Sequence, residues 1–189
     1  MKKTYFKKIK KRSILLLCIF LTLSSCEVLD EESLTQVSTE KFYQNESDAL
    51  DALTAAYARL KSGNGYYKQV FLSALYASSD QGLSTFLFRD FKTGTITNTN
   101  PNLTPMWRDI YFGIRDANNV IVNVGSVDMD EQLKSRIIGE ARFLRGLHYF
   151  NLVRCFGEVP LRTEPLDPSE SEGLPVSSIV DIYEVIIGD

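Results

Sequence analysis

The residue in this sequence best suited to covalent chemistry is Cys26. It follows Leu23-Ser24-Ser25, and the small side chains just before it let a peptidase approach the backbone. A thiol is a good nucleophile, so the sulfur is suited to accept a lipid group from a donor. These residue types are compatible with proteolysis before Cys26 and acylation of its side chain.

The N-terminal residues have the pattern of a secretory signal. Seven Lys and Arg side chains lie between Lys2 and Arg12, and an apolar stretch runs from Ile14 to Leu23. A basic start, a short apolar centre and small residues before a cut site are typical of signal peptides. The apolar stretch has about half of the ~20 residues that a membrane-spanning helix needs. We therefore predict a signal peptide over residues 1–25.

The segment Leu23-Ser24-Ser25-Cys26 resembles the bacterial lipobox. The resemblance implies cleavage before Cys26, a diacylglycerol group on its sulfur and an acyl chain on its new amine. Several acyl chains give stable membrane anchoring where a single chain does not. The alternative is an ordinary signal peptide that happens to contain a cysteine.

Acidic residues follow the cysteine at once, at Glu27 and from Asp30 to Glu32. They resemble the export signal that sends lipoproteins of Bacteroidota-like bacteria to the outer face of the outer membrane. A solvated acidic linker is the alternative. We predict an acidic tether and lead-in over residues 26–44 and a helical domain over residues 45–189, anchored by lipid and facing the cell exterior.

Removal of the signal peptide makes the chain strongly acidic. It takes away seven of the 21 Lys and Arg residues and none of the 24 Asp and Glu residues, so the net charge changes from −3 to −10. Nucleic acid is therefore not an expected partner, because phosphate binding favours a basic face. Cys155 is the only cysteine left besides Cys26, and no metal-binding Cys/His motif or cofactor site is expected. We predict that Cys155 is a small buried hydrophobic residue.

Residues 79–102 contain the side chains most suited to binding a saccharide. The stretch is rich in Thr, Asn and Gly and has no clear helical period, which predicts a long irregular loop. Aromatic rings stack on the apolar faces of sugars, while amides and carboxylates bind their hydroxyls. An alternative is that the phenylalanines only anchor the loop to the core. The candidate ligand-binding residues are Asp80, Gln81, Phe86, Phe88, Arg89 and Phe91.

Five helices with apolar residues at helical spacing are expected to position this loop. Short turns between them predict an all-α fold of stacked helical hairpins. The fifth helix reaches the last residues without a C-cap, so we expect the domain to be incomplete at its C-terminus. The predicted boundaries are an Asn45–Asp48 capping box and a Gly63 stop, Tyr66 to about Ser78, a Thr104 cap with Pro105 and a Gly125 end, Asp130 to Gly157, and a Ser177 or Ser178 cap.

The fourth helix carries the motif of a known family. Residues 139–154 read GEARFLRGLHYFNLVR, and residues 156–161 read FGEVPL. Together they resemble the hallmark of the SusD/RagB family, with Gly146 in place of the usual alanine and Glu158 in place of the usual aspartate. The third helix is similar to the family's pattern as well.

The resemblance implies tetratricopeptide-like helical hairpins beside a more irregular ligand-binding part. It also implies a lipoprotein, not an enzyme, that binds a glycan or other polymeric nutrient and delivers it to a SusC-like TonB-dependent outer-membrane transporter. Two alternatives remain open. A helical glycoside hydrolase would need two carboxylates about 5–10 Å apart across a cleft, and no local pair of acids stands out. A helical-repeat scaffold that binds only protein would show no affinity for glycans.

The hallmark side chains are interpreted mainly as scaffold. Trp107 and Tyr111, on the third helix, are expected to belong to the core and not to a sugar platform. The hallmark arginines are expected to pair with acids such as Glu140 or to reach carbonyls in the loop after Gly157. These arginines are Arg142, Arg145 and Arg154.

Overall fold

A computed structural model of the chain describes residues 42–61, 63–82, 86–166 and 173–189. The predicted signal peptide, Cys26 and most of the acidic tether lie outside these residues. The prediction of an all-α fold is confirmed for the described part. Its only β-type pairing there is one antiparallel bridge between Val159 and Ser177.

Helix α5 is the centre of the described structure. It packs against α1, α4 and α6, and its most extensive contact is with α4. A short connection between α4 and α5 lets these two helices lie side by side. In chain order the elements are α1 (Glu46–Ala58), α2 (Val70–Ala77), a 3-10 turn (Phe86–Phe88), α3 (Arg89–Thr93), α4 (Leu103–Asn123), a second 3-10 turn (Val124–Ser126), α5 (Glu131–Phe156) and α6 (Ile179–Gly188).

The start of α1 has the predicted capping box. The Asn45 side chain accepts from the backbone N–H of Asp48, and the Asp48 carboxylate accepts from the backbone N–H of Asn45, both at 3.2 Å. Two N–H groups that lack a partner within the helix are thereby satisfied. The helix ends at Ala58, earlier than the stop expected at Gly63.

Helix α4 starts differently from the prediction. Its N-cap is Asn102, whose side chain makes no capping bond, so the expected Thr104 cap is wrong. Thr104 and Pro105 lie inside the first turn, where the missing N–H of proline costs nothing because these groups have no helical partner. The helix ends at Asn123, and Gly125 belongs to the 3-10 turn that follows.

Helices α5 and α6 begin as expected. Asp130 Oδ1 accepts from the backbone N–H of Leu133 at 2.8 Å, and Ser178 Oγ accepts from that of Asp181 at 3.2 Å. Helix α5 stops at Gly157, whose φ of 72° lies in the left-handed region that favours glycine. The loop that follows returns along α4 and α5.

The core has two parts, and each contains residues from one half of α4 and one half of α5. One part joins α1 to the second half of α4 and the first half of α5, with small residues such as Ala52 and Ala141 at the contact. The other joins α2, α3 and α6 to the first half of α4 and the second half of α5. Aromatic rings such as Tyr66 and Phe71 fill this second part, to which Phe88 and Phe91 also belong.

Candidate functional site

Residues 79–102 contain more helix than the sequence indicated. The 3-10 turn Phe86–Phe88 leads directly into α3, and Gly94, with φ 68°, ends that helix. The prediction of one long irregular loop was therefore wrong at its centre. Phe88 and Phe91 are three residues apart, a spacing that puts both rings on one face of a helical turn.

The rings of Phe88 and Phe91 are part of the core. Each residue is 8% exposed, and the two ring centroids are 6.1 Å apart. Both belong to the same buried cluster as Phe71 and Met106. They anchor the segment, as the alternative interpretation expected, and neither can serve as a sugar platform.

Phe86 has the opposite environment. It is 83% exposed, and its neighbour Leu87 is 63% exposed. The Arg89 guanidinium lies 5.5 Å from the centroid of the Phe86 ring, a cation–π arrangement. Of the predicted ligand residues, the structure therefore joins Phe86 and Arg89 at the surface.

Polar contacts outside the predicted set hold the segment together. The Asn102 amide donates to the carbonyl of Leu87 at 3.0 Å, and the Asn100 amide donates to the Asp90 carboxylate at 3.1 Å. The first bond fixes the 3-10 turn against the start of α4, and the second fixes α3. A sequence signal for these pairs does not exist, because the partners are 10 and 15 residues apart without a periodic pattern.

Asp80 and Gln81 are exposed and lie in the turn after α2. The Tyr76 hydroxyl donates to the backbone carbonyl of Gln81 at 3.3 Å, and Lys92 Nζ donates to the carbonyl of Ser79 at 3.0 Å. This turn is thereby attached to α3. Within the described residues, neither Asp80 nor Gln81 makes a hydrogen bond to the Phe86–Arg89 pair.

The central arginine of the hallmark holds the loop after α5. Arg145 Nη1 donates to the carbonyl of Thr163 at 2.8 Å and to Oδ1 of Asn118 at 2.9 Å. Its Nε donates to Asp189 at 2.6 Å, and the side chains of that ion pair are only 10% and 6% exposed. The expectation that a hallmark arginine reaches carbonyls beyond Gly157 is confirmed for Arg145.

Two buried tyrosines hold the same loop. The Tyr111 hydroxyl donates to the carbonyl of Pro160 at 2.8 Å, and the Tyr149 hydroxyl donates to the carbonyl of Arg162 at 3.0 Å. Burial raises the pKa of Tyr149 to about 12 and also raises the pKa of Tyr111, so both keep their proton at neutral pH. Tyr111 is 7% exposed, which confirms that it belongs to the core.

His148 is fully buried and cannot touch a polymer. Its Nδ1 lies 3.0 Å from the Tyr66 hydroxyl, which already accepts from the Asn151 amide at 2.6 Å. Nε2 has no hydrogen-bond partner within the described residues and faces Gly113, where a Cβ would lie 2.3 Å away. Burial lowers the pKa of His148 to about 4.

The hallmark helix and its loop match a known protein family. The family profile described as SusD-like, "Starch-binding associating with outer membrane", matches residues 27–189. The chain belongs to the SusD-like family. The resemblance seen in the hallmark helix is thereby confirmed, and carbohydrate binding and outer-membrane association are properties described for the family.

Curated SusD-like relatives are similar along almost the whole chain. SusD-like protein P2 of Formosa agariphila is 27% identical over 186 residues, which cover 95% of this chain and 37% of that protein. SusD-like protein P38 of the same organism is 30% identical over 197 residues, which cover 97% and 37%. The chain therefore spans little more than a third of the length of these relatives.

Solved SusD-like structures have the same helical fold. A laminarin binding SusD-like protein is 34% identical, with a TM-score of 0.64 over 76% of this chain and 32% of that one. A SusD homolog from Bacteroides thetaiotaomicron VPI-5482 is 30% identical, with a TM-score of 0.66 over 82% and 31%. The described helices are thus the SusD-like arrangement and not a separate all-α fold.

Cys155 differs from the prediction for this SusD-like chain. It was expected to be buried, but its side chain is exposed near the end of α5. The residue lies at the edge of a cavity of about 400 Å³ beside α2, together with Phe71 and Phe156. The apolar pattern of α5 does not show that this side of its last turn borders a cavity, and for this reason the prediction was wrong.

Two kinds of feature are absent from the described residues. None of the described helices is both long enough and apolar enough to cross a membrane. In the same part of the chain, no group of three or more His, Cys, Asp or Glu side chains is arranged to hold a metal ion.

Proposed function

We propose that this SusD-like chain binds a glycan or similar polymeric nutrient at the cell surface. It delivers this ligand to a SusC-like TonB-dependent transporter, and it does not cleave it. A lipid group on Cys26 holds the protein on the exterior face of the outer membrane. The observation that carries the proposal is the exposed Phe86 ring beside Arg89, in the segment whose composition suits saccharides.

The geometry of this pair favours binding to a sugar. An aromatic ring that is 83% exposed offers an apolar face to the C–H groups of a pyranose. Arg89 adds hydrogen-bond donors for hydroxyls next to that face. Phe88 and Phe91 pack beneath the turn, so the ring projects from a segment that is already anchored.

Glucans are the first ligands to test. The family description names starch, and one structural relative is described as binding laminarin. Both polymers consist of glucose residues with apolar ring faces, which suits an aromatic platform. Neither similarity distinguishes the two linkages, so both polymers are used as probes.

The environment of the acid in α3 is consistent with binding without cleavage. Glycoside hydrolysis needs two carboxylates that face each other across the scissile bond. Asp90, the acid in the first turn of α3, accepts from the Asn100 amide at 3.1 Å. The buried His148 cannot supply a general base at the surface.

Calorimetric titration of the purified chain with laminarin and amylopectin tests the proposal. Phe86→Ala should weaken binding about threefold to tenfold, because one stacking contact contributes on the order of 1 kcal/mol. Phe143→Ala is the matched control, since Phe143 is also an exposed phenylalanine (63%) but lies on α5. Equal losses of affinity in both variants, or no binding of any polymer, would contradict the proposal. Because the protein is not expected to cleave its ligand, chromatography should recover the polymer uncut.

The anchor is tested in cells by labelling with a radioactive fatty acid. The intact chain should carry the label and sediment with outer membranes, and the transporter should copurify with it after mild detergent extraction. Cys26→Ala should lose both the label and the membrane association. Normal labelling of this variant would refute the assignment of Cys26.

A further inference from the structure

Besides the cavity beside α2, another cavity lies between α4 and the loop after α5, and Phe86 does not line it. Its volume is about 330 Å³, at the lower end of the range for small-ligand pockets. Its walls combine aromatic and charged side chains, a mixture typical of sites that bind polar rings. Its lining residues include Trp107, Arg108, Phe112, Arg115, Arg162 and Glu164.

The aromatic wall is fixed in place. Trp107 packs against Tyr111, with ring centroids 4.9 Å apart, and edge-on against Phe156 at 5.0 Å. Trp107 remains partly exposed towards the cavity, although Tyr111 is buried. Phe112 is 37% exposed, and the Arg115 guanidinium lies 5.0 Å from its ring centroid.

The charged wall is mostly cationic. Three arginines and one glutamate line the cavity. The acids that pair with two of these arginines, Asp109 and Asp116, are only 6% and 15% exposed and do not line it. Each uses one carboxylate oxygen, Oδ1, for both contacts with the neighbouring guanidinium. The guanidinium groups that line the cavity therefore outnumber the carboxylates that line it, in a chain whose residues after position 25 carry a net charge of −10.

The third arginine is positioned by the hallmark framework. The Arg162 guanidinium lies 4.9 Å from the centroid of the Tyr111 ring. The Arg162 carbonyl accepts from Tyr149 and from the Asn118 amide, the latter at 2.8 Å. The loop side of the cavity is thus held by the same buried donors that hold the backbone, which gives the site a defined shape.

We propose that this cavity is a second saccharide site, which binds a pyranose residue bearing a carboxylate or sulfate group. The sugar ring lies against Trp107 and Phe112, and its anionic group pairs with Arg108 and Arg115. Guanidinium groups suit both tasks, because they bind carboxylate and sulfate oxygens and also stack on rings. This inference rests on the saccharide-binding function proposed above and adds a ligand class that the Phe86 surface does not select.

The only tryptophan in the chain lines this cavity, so its fluorescence is a suitable probe of binding there. The purified chain is titrated with oligogalacturonides, with malto-oligosaccharides of the same length and with poly-L-glutamate. Oligogalacturonides should change the Trp107 emission, while the neutral sugars should not do so at the same concentrations. Arg115→Gln should weaken this response at least tenfold, because it removes one charge-assisted contact.

Two control variants show whether the fluorescence response comes from this cavity. Arg136→Gln removes an arginine whose side chain is 61% exposed on α5, and it should leave the titration unchanged. Phe86→Ala should also leave it unchanged. An equal response to poly-L-glutamate would refute a saccharide site, because it would show a general polyanion surface. If calorimetry shows glucan binding but the Trp107 emission does not respond to galacturonides, only the cavity site is refuted. The absence of all saccharide binding would refute the proposed function as well.

Discussion

Two segments without long helices border α4, and the structure holds them in different ways. The loop over residues 157–166 is fixed by buried donors, since carbonyls of Pro160, Arg162 and Thr163 accept from side chains of α4 and α5. Residues 86–102 are held by two buried phenylalanine rings and by polar contacts that are exposed or partly buried. The first segment is part of the framework, whereas the second presents an aromatic ring to solvent.

This difference shows what the family hallmark does. Its buried polar side chains fix backbone that would otherwise lack partners, a requirement that allows few substitutions because unpaired buried groups are costly. A binding surface needs only an anchored turn and an exposed ring, which different sequences can supply. The long motif therefore identifies the fold, and the proposed ligand surface lies outside it.

The largest expected effect comes from removing the centre of the framework. Arg145→Ala leaves Asp189 without its buried partner and frees the Thr163 carbonyl, so the free energy of unfolding should fall by about 3–5 kcal/mol. Arg142→Ala, at an exposed position on the same helix, should change it by less than about 0.5 kcal/mol. Urea denaturation measures both, and a similar small loss in the two variants would remove the distinction between framework and surface.

A somewhat smaller effect should appear when the pH is lowered. His148 has a pKa of about 4 in the folded chain, below its ordinary value of 6.5, because burial disfavours the charged ring. Below pH 6.5 the unfolded chain binds a proton that the folded chain does not, so stability is complete above pH 6.5 and falls towards pH 4. The maximum loss from this group is roughly 3 kcal/mol.

The contribution of His148 is obtained by difference, because carboxylates titrate near the same pH. Unfolding is measured at pH 7 and pH 4.5 for the intact chain and for His148→Gln. The variant should be less stable at pH 7 and should lose less stability between the two values. A parallel decline in both proteins would show that His148 does not cause the acid sensitivity of the buried framework.

The smallest expected effect concerns the second segment. Lys92→Ala removes the exposed bond to the Ser79 carbonyl and should cost no more than about 1 kcal/mol. Hydrogen exchange near residues 79–82 should increase, while exchange in α5 should stay unchanged. A loss as large as that of Arg145→Ala would show that both segments are framework.

Helix ends and buried faces could be predicted from the sequence where the signal is local. Asn45 with Asp48, Asp130 and Ser178 are caps because each side chain bonds the backbone three residues away. Gly157 is a stop because it adopts a positive φ. The hallmark indicated the family for the same reason, since its residues are contiguous.

The missed features depend on contacts between distant residues. Phe86 and Phe88 have the same side chain in one 3-10 turn, and the packing of this turn against α2 and α3 leaves one ring exposed and the other buried. Threonine is a common N-cap residue, yet α4 begins before Thr104. The arginine-lined cavity joins α4 to residues nearly 50 positions later, at Arg162 and Glu164, and no local pattern indicates such a pairing.

Paired measurements of affinity and melting temperature on Phe86→Ala and Phe88→Leu test the central claim most directly. Phe86→Ala should weaken glucan binding about threefold to tenfold and leave the melting temperature within about 2 °C of the unmodified chain. Phe88→Leu should lower the melting temperature by several degrees, because a buried ring is lost, and should keep the affinity once folded. The reverse result, unchanged affinity for Phe86→Ala or a melting temperature that falls as far as in Phe88→Leu, would show that Phe86 is not the ligand surface.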